Sequence, residues 1–145
     1  MNKETYKKLT EKASPNSPIL KDMCFAFLIG GLICAIGQVF MNIYMSLGLE
    51  KDISSTLVSI TLILLSIILT GLDLFDSIAK VAGAGTLVPI TGFANSVAAP
   101  AIEFKSEGFI LGMAAKMFVI SGPVIVFGTV ASVIYGVIYW ITTIM

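Results

Sequence analysis

The side chains of this 145-residue sequence best able to do chemistry in an apolar setting are few. They are the amides Gln38, Asn42 and Asn95 and the ionisable Asp73, Asp76, Lys80, Glu103, Lys105, Glu107 and Lys116. An amide in hydrocarbon needs a hydrogen-bond partner or water, because burying it unpaired costs several kcal/mol. An ionisable group within a bilayer marks a route for solute or protons. Asp76, Lys80, Lys105 and Glu107 fall where an interface would solvate them. Glu103 directly follows a stretch broken by glycine and proline, and Lys116 lies between two apolar runs.

Enzyme chemistry finds no residues to work with. Nine Lys balance nine Asp and Glu, and the chain has neither His nor Arg. Without His there is no proton shuttle near neutral pH and no common zinc or haem ligand set. Without Arg there is no bidentate phosphate clamp. Gly83-Ala84-Gly85 lacks the continuation and acidic partner of a dinucleotide site, and no EF-hand loop is present. Zero net charge argues against a nucleic-acid partner. Cys24 and Cys34, about 15 Å and 80° apart on a helix, are too far apart for a disulfide and read as small packing residues. No catalytic residue, cofactor or metal site is expected.

The elements that must position the polar residues are membrane spans. Hydrophobic residues are 57% of the chain, charged residues 12%, and the mean hydropathy is +0.97. Ordinary soluble domains carry roughly 25% charge, so a water-facing surface cannot be built from this composition. Residues 1–22 form a polar tail with five of the nine lysines, and Asn2–Ala13 could be a short amphipathic helix before the Ser14–Pro18 break. A single transmembrane domain over 23–145 follows, with spans at about 23–48, 53–72 and 109–144 and a broken segment at 77–102. The lysine excess beside the first span places the N-terminus in the cytoplasm. The expected fold is an all-α integral membrane protein: a helical hairpin, a re-entrant or discontinuous segment, and one or two C-terminal helices. Phe109–Met145 is either two short helices meeting near Gly122-Pro123 or one long helix.

Each span carries a polar stripe. Gly30, Cys34, Gln38, Asn42 and Ser46 recur every four residues; Ser55, Ser59, Ser66, Thr70 and Asp73 share a face; so do Ser121, Gly128, Ser132, Tyr135, Tyr139 and Thr143. Small and hydroxyl residues let transmembrane helices pack closely. Three such stripes beside a broken segment also suit a shared hydrated path. The candidate pore or gating residues are Gln38, Asn42, Gly83, Gly85, Pro89, Asn95, Glu103 and Lys116. Alanine at 83 and 85 would favour helix by up to roughly 1 kcal/mol per site.

At the broken segment the sequence resembles the stage V sporulation protein AC family. The residues are Ala82-Gly83-Ala84-Gly85, Val88-Pro89, Thr91-Gly92-Phe93-Ala94-Asn95-Ser96, Glu103 and Lys105-Ser106-Glu107-Gly108, with Gly30–Cys34 and Ile36-Gly37-Gln38 before them. The resemblance implies a place in the inner membrane of bacterial endospores. It implies transport of dipicolinic acid, chelated with calcium, into the forming spore and out at germination. It also implies a channel that responds to membrane tension and works with other proteins of its operon. A neutral calcium chelate needs many weak polar contacts rather than a ring of fixed charge. One chain of this size has too few helices to enclose such a solute, so a homo- or hetero-oligomer is expected. The alternative is a non-conducting scaffold that holds other components of the transport complex in the bilayer.

Overall fold

The computed structural model describes Tyr6 and residues 18–144, and among these every regular element is helical. The amphipathic helix expected over Asn2–Ala13 lies, Tyr6 apart, outside the described residues. Helix α1 (Ile19–Ser46) and α2 (Lys51–Gly71) form an antiparallel hairpin. The short α3 (Leu74–Ala82) leads through a 3-10 segment (Gly83–Leu87) into α4 (Pro89–Glu103). A tight turn at Lys105–Glu107 and a π-helical start at Phe109–Ala114 open the last helix, α5 (Ala115–Ile144).

The hairpin is joined where side chains are small and where hydroxyls find partners. Gly37 is buried against α2, and a Cβ there would lie 3.4 Å from Leu62 Cδ1. Thr61 gives its one hydrogen to the Leu57 carbonyl oxygen at 2.8 Å. Tyr44 OH, 2.7 Å away, therefore donates to Thr61 Oγ1.

The segment after α2 turns back on itself. Ser66 contacts Thr91, and Thr70 contacts Asn95, so two pairs four residues apart share an offset of 25. Equal offsets mean that α2 and α4 run parallel. A chain that leaves the end of α2 and enters α4 in the same direction must first climb back, which α3 and the 3-10 segment do. By the same offset Pro89 sits beside residue 64, roughly 10 Å above the end of α2. The broken stretch is therefore a re-entrant hairpin. Proline starts its second arm at the first helical position, where the missing N–H has no intrahelical partner to lose.

The last helix is continuous. From Phe109 to Ile144 it runs 36 residues straight through Gly122-Pro123, about 54 Å. Proline removes one ladder bond, which a transmembrane helix tolerates when its neighbours remain formed. Three helices, Ile19–Ser46, Lys51–Gly71 and Phe109–Ile144, are long and apolar enough to cross a membrane, each with mean hydropathy 2.2. Of their most apolar stretches only 6%, 17% and 6% is buried inside the chain. The core is correspondingly small: Leu62, Phe75, Ala82, Ala94 and Ala98.

Candidate functional site

The polar centre of the molecule is the contact between α2 and α4. Ser66, 1% exposed, donates to the Thr91 carbonyl oxygen at 2.8 Å. One turn on, Thr70 Oγ1 lies 2.7 Å from the Ser66 carbonyl oxygen and 2.8 Å from Asn95 Oδ1. A hydroxyl carries one hydrogen and cannot give it to both oxygens. With the Asn95 amide turned over, Nδ2 donates to Thr70, Thr70 donates to Ser66, and both contacts are satisfied. Asn95 Oδ1 is then free to accept from whatever lies in the cleft alongside.

That cleft is about 440 Å³ and is bounded by Thr70, Asn95, Asp73, Asp76 and Glu103 among apolar neighbours. Its volume falls in the range of roughly 300–1,000 Å³ typical of small-molecule sites. Lys80 Nζ pairs with Asp76 at 2.7 Å. The hydrogen bond that Lys80 donates to the Asp76 carboxylate, and then the charge of that carboxylate, hold the Lys80 ammonium above the ordinary lysine range. Among the described residues neither Asp73 nor Glu103 has such a cation, so the described lining of the cleft is net negative. Among the described residues no three acidic or cysteine side chains stand close enough to hold a metal ion.

Glycine clasps the tip of the re-entrant hairpin to α1. A Cβ on Gly85 would lie 2.5 Å from the Ala26 carbonyl oxygen and 2.9 Å from Ala26 Cα. On the other side of the crossing, a Cβ on Gly30 would meet Gly85 O at 3.3 Å. Gly83 is fixed for a different reason: its φ of 51° and ψ of −122° are closed to L side chains. Alanine at 83 and 85 therefore does not simply extend a helix, as expected from propensity. It strains the backbone at 83 and wedges two backbones apart at 85.

The other candidates are dispersed. Gln38 and Asn42 are exposed on α1 and bond each other, Nε2 to Oδ1 at 2.9 Å; neither borders the cleft. Pro89 begins α4, and Glu103 ends it at the cleft. Lys116 is exposed, with its Nζ 4.7 Å from the centre of the Phe104 ring. One chain thus joins Asn95 and Glu103 at the cleft and leaves the three polar stripes apart. On α5 only Ser121 is buried; Gly128, Ser132, Tyr135, Tyr139 and Thr143 are exposed. Thr91 enters the sequence reading only within the family motif, and Ala26 not at all. Each contributes backbone atoms, and no side-chain type announces that.

Three membrane-spanning helices and a re-entrant hairpin with a polar cleft define an all-α membrane protein. Residues 22–138 match the SpoVAC/SpoVAEB sporulation membrane protein family. The chain belongs to that family. It is 47% identical over 137 residues to "Stage V sporulation protein AC" of Bacillus subtilis (strain 168), covering 94% of this chain and 91% of the relative. No solved structure matches it.

Proposed function

We propose that the protein is a channel subunit that moves dipicolinic acid, as its calcium chelate, across the inner membrane of the spore. It would load the forming spore and release the solute at germination, with opening favoured by membrane tension. The observation that carries this reading is the re-entrant hairpin packed parallel to α2, with Asn95 and Thr70 beside a polar cleft. Non-helical backbone at membrane depth belongs where protein or a wet cavity can satisfy it.

The charge of the cleft speaks to the form of the solute. Asp73 and Glu103 would repel a free dicarboxylate, whereas a 1:1 calcium chelate is neutral and needs only weak polar contacts. Tension favours the state of larger membrane area, and a hairpin tip released from Ala26 could supply it. The membrane itself, other proteins of the same operon and further subunits are the partners this role requires.

On this reading the N-terminus is cytoplasmic. Lys105 and Lys116, near the end of α4, join the lysines of the tail on the side where α1 begins, and lysine excess marks the inner face. Three spans then put the C-terminus on the opposite side.

The test is purified protein in liposomes, with patch-clamp current and dipicolinate efflux measured under tension. Current and efflux that Asn95→Leu reduces, with the variant still inserted, are expected. Silent wild-type membranes in which the protein still retains other operon products would replace the channel by the scaffold.

A further inference from the structure

Helix α1 carries two seams, and the chain uses one. The first is Ala26, Gly30, Ile33, Gly37, Phe40 and Tyr44, all wholly or partly covered by the rest of the molecule. The second is Leu28, Gly31, Ala35, Gln38, Asn42 and Met45, roughly 150° round the helix, and every one of these residues is exposed. The second seam repeats every seven residues, as 31, 38, 45 and 28, 35, 42. A seven-residue repeat keeps one stripe facing a partner helix along a left-handed crossing. Gly31 has open space around it: a Cβ there would meet nothing within 4 Å.

The amides make this face costly to leave to lipid. Gln38 lies two residues from the middle of the uncharged run 23–49. Asn42 is one turn further, still within the ~15 Å half-thickness of a hydrocarbon core. The Gln38–Asn42 bond uses one N–H and one oxygen. Among the described residues it leaves three N–H groups and the Gln38 carbonyl oxygen without a partner.

We propose that this outward seam of α1 is a homo-oligomer interface, in which Gln38 and Asn42 bond the same residues of a second copy. A foreign chain would have to bring a polar group to the same depth. A copy related by rotation about the membrane normal does so by symmetry. Each amide is both donor and acceptor, so it complements itself, and Gly31 and Ala35 let the two backbones approach. A single polar layer inside an apolar seam also fixes register. The inference rests on the chain's place in the membrane and on no solute.

Oxidative cross-linking of the purified full chain in liposomes tests it, in a Cys24→Ala/Cys34→Ala background. Ala35→Cys and Gly31→Cys should each give a dimer, and Leu32→Cys, exposed off the seam, should not. In a second measurement, Gln38→Ala/Asn42→Ala should weaken self-association, read by energy transfer on dilution into lipid, about three- to thirty-fold per amide. Absence of any dimer at 31 and 35, or equal dimer at 32, overturns the proposal. So does unchanged self-association in the double variant. Rapid reaction of Gln38→Cys with a membrane-impermeant thiol reagent also overturns it, because water would then cover the face. Loss of dicarboxylate efflux with cross-linking intact would bear on the channel alone.

Discussion

The seam between α2 and α4 and the far half of α5 are built by opposite rules. At the seam, side chains meet backbone and each other, Ser66 on Thr91 O and Thr70 on Asn95, and at the adjoining hairpin tip backbone meets backbone, Gly85 against Ala26 of α1. On α5, every residue from Pro123 to Ile144 is exposed, and most are apolar. The two spans concerned, α2 and α5, are equally apolar, each with mean hydropathy 2.2. Hydropathy therefore marks what lies in the membrane, and only the placement of small and polar groups marks what packs within the chain. In lipid, burial of apolar surface supplies no drive between helices, so close approach and hydrogen bonds must do the work.

If that contrast holds, the largest effect should come from closing the approach at the tip. Gly85→Ala should destabilise the fold by about 2–3 kcal/mol, the scale of an overpacked core. Adding Ala26→Gly should not rescue it, since the clash is with the Ala26 carbonyl oxygen and Cα, which glycine keeps. Reversible unfolding in mixed micelles reads both. A mild Gly85→Ala, or rescue by Ala26→Gly, would mean that the tip is held elsewhere.

Next in size are the hydrogen bonds. Ser66→Ala leaves the Thr91 carbonyl oxygen without its side-chain donor and should cost about 1 kcal/mol. Asn95→Leu removes the partner of Thr70 at the cleft. It should lose a similar amount of stability, yet reduce dipicolinate passage far more than Ser66→Ala does. Equal losses of passage in the two variants would make Asn95 a packing residue.

Much of this was legible in the residues. The charge-free runs gave the three spans, and glycine and proline between 83 and 100 gave the break. Asn95 is legible as an amide in the broken segment, able to cap a half-helix or contact solute. The parallel register of α2 and α4 was not legible, because an offset of 25 residues leaves no periodic trace in either helix. Nor was the role of Gly85: a glycine that permits bending and one that admits another backbone look alike until the second backbone is seen. The three stripes were real as patterns on each helix. They did not converge, since whether a helix face is covered depends on neighbours that one helix cannot specify.

The smallest effect should be found on α5, and it sharpens the comparison because it is a predicted silence. Val133 is 60% exposed and lies on the half of α5 whose described residues are all exposed. Val133→Ala removes two methyl groups from a side chain that faces lipid in both the folded and the unfolded, membrane-inserted state. The transfer term that makes such a deletion costly in a water-soluble core is then absent, as is the cavity term. The change should stay within about 0.5 kcal/mol, and it should do so at every protein-to-lipid ratio. A loss above about 1 kcal/mol that grows as the protein is diluted in lipid would show that α5 is covered by another subunit at this position. The boundary between the packed and the free parts of the molecule would then lie beyond Ser121, and the exposed half of α5 would count as an interface with the outward seam of α1.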